Sequence, residues 1–534
     1  MDAGADSDRP AQNLQVALRS QAQLYLMVIS MSDSVLVTGK RRAGDVVGAA
    51  EAPKCGPETC FMCREATIGT CWVGHRYAPR IAAWAICVFL SAAASAQTPQ
   101  PIGSATQQPD SVTPSSPLAI HVGDADLLFG GFIDATSIRR DVNTGSGLGT
   151  SFGTIPFGNT VQGHMNDTQF SSQNSRLTLQ ATSKVGAANL KGVLEVDFLG
   201  NAPNGLNVTT NSNTLRMRVF WGQYRQGAFE FLTGQAWSLM TPNRNGLSPE
   251  TGDVFFGQTV DPNYQAGLAW GRTMQFRLTT HPHDSVTAAV SIENPDQYVG
   301  SGVKLPAGLP SGEVDTGATV NDVPNAFPDI IGKAAFDPKI GHTHQHIDAA
   351  LLVRNFKTYN LDTDTTFKKT AVGGALNAAV ELIPSIRLVA AVFYSSGGGR
   401  YLANTNLPDF IVNHDASLTL VKTRSSLIGT EIQASHKTMV YGYYSAAHAD
   451  RAVATDVDGS AIGFGVPGST AANEQIVEAT AGVTHTFFRD PKIGGMQFMA
   501  QYSHVRRTPF SVPPGTPADA SVNMIYLNVR YFLP

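Results

Sequence analysis

From Leu127 onward, apolar and polar residues alternate in segments separated by clusters of Gly, Asn, Asp and Pro. A period of two over such lengths is the pattern of β-strands with unlike faces. In one segment Leu190, Gly192, Leu194, Val196 and Phe198 share a face, with Lys191, Glu195 and Asp197 opposite. The next sets Leu215, Met217, Val219 and Trp221 against Arg216, Arg218, Phe220 and Tyr224. Met274, Phe276 and Leu278 alternate with Gln275, Arg277 and Thr279, and Val286, Ala288, Val290 and Ile292 with Thr287, Ser291 and Glu293. Toward the end, Met496, Phe498, Ala500 and Tyr502 oppose Gln497, Gln501 and Ser503, and Ile525, Leu527, Val529 and Tyr531 oppose Tyr526, Asn528 and Arg530.

A soluble sandwich alternates too, because each of its strands has one wet face. Three features predict instead a transmembrane antiparallel β-barrel. Connections alternate between short (185–189, 281–284, 383–385, 489–495) and long (139–169, 295–327, 395–416, 449–473), as when periplasmic turns are short and external loops long. Aromatic residues stand near strand ends, where an interfacial girdle would place Phe198, Trp221, Tyr394, Phe487, Phe488, Tyr531 and Phe532. The final segment IYLNVRYFLP is a strand running to the terminus, able to close against a first strand near Phe129–Ala135. Closure leaves no edge unpaired in lipid. At about 27 residues per strand with its connections, the length predicts roughly sixteen strands. The most helix-like candidate for a membrane span, Leu376–Tyr394, is interrupted by Glu381, Pro384 and Arg387, and reads as strand, turn at Ile383-Pro384-Ser385, and strand.

Upstream, Arg76 and Arg80, the apolar run Ile81–Ala94 and the small residues Ala94-Ser95-Ala96 before Gln97 have the layout of a secretory leader. The expected organisation is a mis-annotated N-terminal extension over 1–75, a signal peptide over 76–96, a flexible Pro, Ser and Gln-rich segment over 97–117, and a barrel over 118–534. An uncleaved membrane anchor is the rival reading of the apolar run, which is short for a span. Cys55, Cys60, Cys63, Cys71 and Cys87 all precede the expected cut, so the exported chain would be cysteine-free. Of 38 Lys and Arg and 42 Asp and Glu, nine and eight lie in residues 1–96, leaving 29 basic against 34 acidic residues. That balance gives no reason to expect nucleic acid as a partner.

Between Gln169 and Pro282 the chain resembles the DcaP-like family of outer-membrane porins. The resemblance is carried by SSQNSRLTLQATSK (171–184), LKGVLEVDFLGN (190–201), TLRMRVFWGQY (214–224), FLTGQAWSLM (231–240) and SPETGDVFFGQ (248–258), and VRYFLP at the end is consistent with it. It implies a sixteen-stranded homotrimeric channel in the bacterial outer membrane for small, usually anionic, organic solutes. It also implies that Thr241–Tyr264 folds inward as a constriction loop, bringing Arg244, Glu250 or Asp253 near the narrowest point, an external loop being the alternative reading. Family members often carry a helical coiled coil before the barrel, whereas here that position holds the Pro-rich stretch.

A channel selects by width and by the charges at its narrowest point. The strand phase places Arg176, Lys191, Arg216, Arg218, Arg277, Arg387 and Arg530 in the lumen, with Glu195, Asp197 and Glu293. Arg216 and Arg218 stand two apart, so their fields add. A guanidinium remains charged and offers a planar fork to carboxylate or phosphate. The expected function is therefore passive diffusion of small hydrophilic solutes, favouring anions such as dicarboxylates, with no cofactor, metal or catalytic group. The other reading is that the arginines pair with Glu195 and Asp197 and merely hold the wall.

Other motifs carry less. The cysteines with His75 imitate a zinc site, but their spacing fits no common pattern. Gly149-Thr150-Ser151-Phe152-Gly153 spells G-x-S-x-G without the flanking strand and helix a nucleophile elbow needs. His342, His344 and His346 could share a face for a transition metal, or mark a turn or strand start. Asp456, Asp458 and Gly459 lack the downstream glutamate of a calcium loop. The competing functions are a barrel hydrolase, which needs a Ser, His and acid trio at one rim, and a secreted soluble carbohydrate-binding protein, which needs polar outer faces.

Overall fold

A computed structural model describes residues 116–200, 214–254, 259–309, 312–317, 323–325 and 327–534. The expected extension, leader and cysteines, most of the Pro-rich segment, and Phe255 and Phe256 lie outside these residues.

Among the described residues, alternation becomes a closed antiparallel barrel of 16 strands. The first eight are β1 (Ala125–Arg140), β2 (Arg176–Val185), β3 (Ala188–Asp197), β4 (Arg216–Gln226), β5 (Phe229–Trp237), β6 (Arg272–His283), β7 (Val286–Glu293) and β8 (Phe327–Phe336). The second eight are β9 (Thr343–Asn360), β10 (Thr365–Ile383), β11 (Ile386–Ser396), β12 (Lys422–Ser435), β13 (Thr438–Ala449), β14 (Asn473–Asp490), β15 (Gly494–Pro509) and β16 (Ala520–Phe532). Each pairs with its sequence neighbours. The barrel closes where β16 meets β1, in register Phe132↔Phe532, Asp134↔Arg530 and Thr136↔Asn528. The expected strand, turn and strand over Leu376–Tyr394 is β10, Pro384-Ser385 and β11.

One rim carries tight turns, including 186–187, 227–228, 284–285, 384–385 and 436–437. Gly186 and Gly227 take φ of 58° in two of them, the left-handed region that two-residue hairpins require. The other rim carries the long connections 141–175, 238–271, 294–326, 397–421 and 450–472, with one exception, the 361–364 turn between the long strands β9 and β10.

The faces are inverted relative to a soluble protein. Outside stand Leu177, Met217, Phe220, Phe276, Leu278, Ile292, Leu351, Leu376, Val392, Ile428, Ile525 and Leu527, all exposed. Inside, Asp134, Glu195, Asp197, Arg218, Arg277, Glu293, Lys333, Asp348, Arg354, Glu431 and Glu478 are buried. An apolar face encircling a molecule cannot be a water surface, and a closed sheet needs no partner for its backbone in hydrocarbon. No described helix is long and apolar enough to cross a membrane, and the strands do the crossing.

Two expectations fail in β4 and at the terminus. Val219 and Trp221 do not join Leu215 and Met217 outside, because pairing with β3 shifts between Val196↔Met217 and Glu195↔Val219. The extra residue, Arg218, forms a β-bulge, so Arg218 and Val219 both turn inward and every later residue changes face. Trp221 is consequently 2% exposed and faces the lumen, and Phe220 and Tyr224 face outward. Phe532, expected in the girdle, is also internal: it meets Phe132 edge-on, with ring centroids 5.8 Å apart, and sits near the Arg530 guanidinium. Tyr394, Phe487 and Phe488 are exposed as expected.

The long loops fold over the lumen. In 141–166, Leu148, Phe152, Ile155 and Phe157 pack with Met499, Val505, Val522 and Met524. Connections 294–317, 397–421 and 450–472 interlock through a three-stranded sheet (Val303–Lys304, Ala461–Phe464, Ala452–Thr455) and through Asn406, whose Oδ1 accepts from Tyr298 Oη and Ser301 N. In this assembly burial, opposed by Arg400 and reinforced by Asp315 and Asp409, pushes the Asp296 carboxyl up to about 6. A raised carboxyl favours the packed loops below its ordinary range near 4, and that contribution is lost as pH rises to about 6. Asp296→Asn should therefore protect residues 294–309 at pH 7 and flatten their dependence between pH 4 and 7. Amide exchange corrected for intrinsic pH effects reads this directly.

Candidate functional site: the constriction loop and the charged wall

The segment 238–271 leaves the end of β5 and crosses the lumen before re-entering at β6. It is long, and while Leu239, Met240, Val254, Val260 and Leu268 pack with apolar residues of the wall, wall polar groups fasten it along its length. At its start, Leu239 N donates to Glu293 Oε1 at 3.0 Å, and Lys333 Nζ donates to Thr241 O at 2.8 Å and Asn243 Oδ1 at 3.0 Å. Asp348 Oδ2 accepts from Asn243 N at 3.2 Å, and Asp337 Oδ1 from Gly246 N at 3.0 Å. His346 backs both carboxylates, with ring nitrogens 2.7 Å from Asp337 and 3.0 Å from Asp348. The histidine trio thus belongs to the start of β9, and its buried member is a loop anchor.

Arg244 forms a fork with Glu431 of β12, at 2.7 Å (Nη2 to Oε1) and 3.1 Å (Nη1 to Oε2). Burial works against this guanidinium's charge, and Glu431 more than offsets it, holding Arg244 above its ordinary value. Asp253 contributes its backbone oxygen, which accepts from Arg244 N at 2.7 Å and closes a small turn across Asn243↔Val254. Glu250 reaches the opposite wall and pairs with Lys191 at 2.5 Å, both about a third exposed.

The descending half is tied to the far side. Gln501 Oε1 accepts from Val260 N at 2.7 Å, Glu478 Oε2 from Ala266 N at 2.8 Å, and Tyr526 Oη donates to Asp261 Oδ2 at 2.8 Å. Burial raises the Asp261 carboxyl above its ordinary range despite the hydrogen bonds from Asn263 and Tyr526. The loop is thus fastened to β7, β8, β9, β12, β14, β15 and β16. Beneath it, toward the short-turn rim, lies a cavity of about 710 Å³ lined by Lys191, Glu195, Trp221, Glu250, Asp253 and Pro534 among others.

The expected lumen arginines do face inward, and most are engaged. Arg216 binds Asp197 through two bonds of 3.0 and 2.7 Å. Arg218 binds Glu195 at 2.6 Å and Asp197 at 2.8 Å, and Arg176 lies 3.4 Å from Glu195. Three guanidinium groups thereby share two carboxylates. Arg277 donates to Gln275 Oε1 at 2.9 Å and to the Trp237 carbonyl, fixing the loop's take-off. Arg387 holds Glu381 at 2.8 Å and approaches Glu431 at 3.6 Å. Arg530 holds Asp134 at the closing seam through Nε and Nη2, both at 2.8 Å.

Sequence reasoning did not find Arg272, Lys333, Asp348 or Glu431. Arg272 is two residues before outward-facing Met274, so alternation assigns it to lipid. The chain arrives there from the loop, however, and Arg272 lies with its guanidinium carbon 5.1 Å from the Trp237 ring. Lys333, Asp348 and Glu431 occupy inward phases whose partners are far away in sequence.

No family model matches the chain, and no curated protein matches it. Among solved structures, it is similar to the outer membrane channel DcaP of Acinetobacter baumannii, at 18% identity over 76% of this chain and 97% of that one, with a TM-score of 0.55. It also aligns with an anion-selective porin from Comamonas acidovorans, at 12% identity over 76% and 99% of the two chains and a TM-score of 0.43. The fold is that of the sixteen-stranded outer-membrane channels.

Proposed function

We propose that this protein is a passive channel of the bacterial outer membrane, admitting small hydrophilic solutes and favouring small organic anions such as dicarboxylates. The observation that carries the preference is the charge on one wall beside the constriction loop. Arg176, Arg216, Arg218 and Arg272 stand there against Glu195 and Asp197, a positive excess in a space of low dielectric where charge acts strongly. The inward loop supports selection by size, and Arg244, Glu250 and Asp253 lie along it. The apolar exterior and the likeness in fold to DcaP support the membrane placement. Homotrimeric assembly and a cleaved leader ending at Ala96 belong to the same reading, and N-terminal sequencing of the purified protein tests the leader.

The experiment is a reversal-potential measurement in planar bilayers under a salt gradient. Arg216→Ala combined with Arg218→Ala should lower anion over cation permeability, because Glu195 and Asp197 lose their principal counter-charges. An unchanged reversal potential would remove these arginines from selectivity and leave them holding the wall.

A further inference from the structure

The four arginines of the charged wall are not equivalent. Arg216 and Arg218 are paired with Asp197 and Glu195, and Arg176 shares Glu195, although Arg218 Nη2 and Arg176 Nε are themselves buried without a hydrogen-bond partner. Arg272 differs: no hydrogen bond or ion pair holds it among the described residues, and its buried Nε and Nη1 have no partner. One face of its guanidinium is taken by Trp237, whose ring also lies 5.7 Å from the Arg218 guanidinium carbon. A ring face neutralises no charge and accepts no in-plane N–H.

This distinction matters for what a passing ion experiences. A guanidinium tightly joined to a carboxylate presents a dipole, whose field fades faster with distance than that of a single charge. A buried donor without an acceptor also carries a standing cost, recovered when an acceptor arrives. Arg272 has both properties and remains partly exposed, as do its neighbours Tyr264, Trp270 and Arg216. It sits where the constriction loop rejoins the barrel, where its charge acts on the lumen through surroundings of low dielectric.

We propose that Arg272, rather than the paired Arg216 and Arg218, is the residue that principally sets anion preference, by presenting to a passing oxyanion or halide a positive charge that no carboxylate in contact neutralises. The proposal rests on the anion-preferring channel reading above, and its test separates the two. Reversal potentials are measured with the full channel in a potassium chloride gradient, for the unaltered protein and for Arg272→Gln, Arg272→Lys and Arg216→Gln.

Arg272→Gln should reduce the chloride over potassium permeability ratio by about two-fold or more, and by more than Arg216→Gln, although each removes one positive charge. Arg272→Lys should retain most of the preference, because it keeps the unpaired charge. If Arg216→Gln matches or exceeds Arg272→Gln, the preference resides in the paired network and the proposal fails. If Arg272→Lys behaves as Arg272→Gln, Arg272 acts by packing on Trp237 and the proposal fails. If the unaltered channel shows no anion preference, the underlying reading fails with it.

Discussion

Glu431→Ala should release the constriction loop and destabilise the barrel together. Glu431 is fully buried and accepts both bonds of the Arg244 fork, a 2.8 Å bond from Tyr443 Oη, and the approach of Arg387. Removing it leaves the Arg244 charge buried without the carboxylate that chiefly offsets its burial. Breaking a buried pair from one side costs about 3–5 kcal/mol, far more than the pair contributes over an apolar replacement. Carrying the loop tip toward water relieves that cost. The expected result is a larger, noisier unitary conductance in planar bilayers and a lower urea midpoint. Glu431→Gln, which keeps one acceptor oxygen, should do less. Unchanged conductance with unchanged stability would show that Glu293, Asp348 and Lys333 hold the loop without it.

The second large effect is expected at the seam. Asp134 is buried between β1 and β16, receives two bonds from Arg530, and accepts from Asn528 Nδ2 and Thr136 Oγ1. Arg530 also stacks over Phe132 at 3.9 Å, so its guanidinium cannot swing free without disrupting that contact. Asp134→Ala thus strands a cation where the first strand meets the last, again at about 3–5 kcal/mol. A barrel unzips most readily where its chain ends meet. The variant should lose the compact, heat-modifiable band on mild detergent gels at a lower temperature than the parent. Identical midpoints would place the weakest seam elsewhere.

The wall of the barrel was largely legible in the sequence. Alternation in Leu190–Phe198, Met274–Thr279 and Ile525–Tyr531 reports on both solvents, because lipid and lumen each impose a clear demand. Pro384 located a tight turn, and the terminal strand announced closure. The errors share a cause: each depends on a partner that local sequence does not contain. The slip at Arg218 is a property of β4 paired with β3, so Val219 and Trp221 were given the wrong face. Aromatic character at Phe532 could not say whether the ring meets headgroups or Phe132. The lumen charges were found by phase, but the anchors Lys333, Asp348 and Glu431 became meaningful only once the loop was laid against them. Arg272 was missed because a strand's first residue still answers to the loop before it.

The slip at Arg218 has a consequence for how such a wall can diverge. Substitutions alter an interior one side chain at a time, and turns alter only the rims. A single inserted residue absorbed as a bulge does something neither can: it adds one side chain to the lining while every later residue keeps its face and strand number and hairpins stay untouched. Along β4 the extra residue is Arg218, which stands in the lumen beside Val219 while Phe220 and Tyr224 still face lipid. A barrel of fixed diameter can thereby gain a lumen charge in one genetic step without disturbing the surface it shows to lipid.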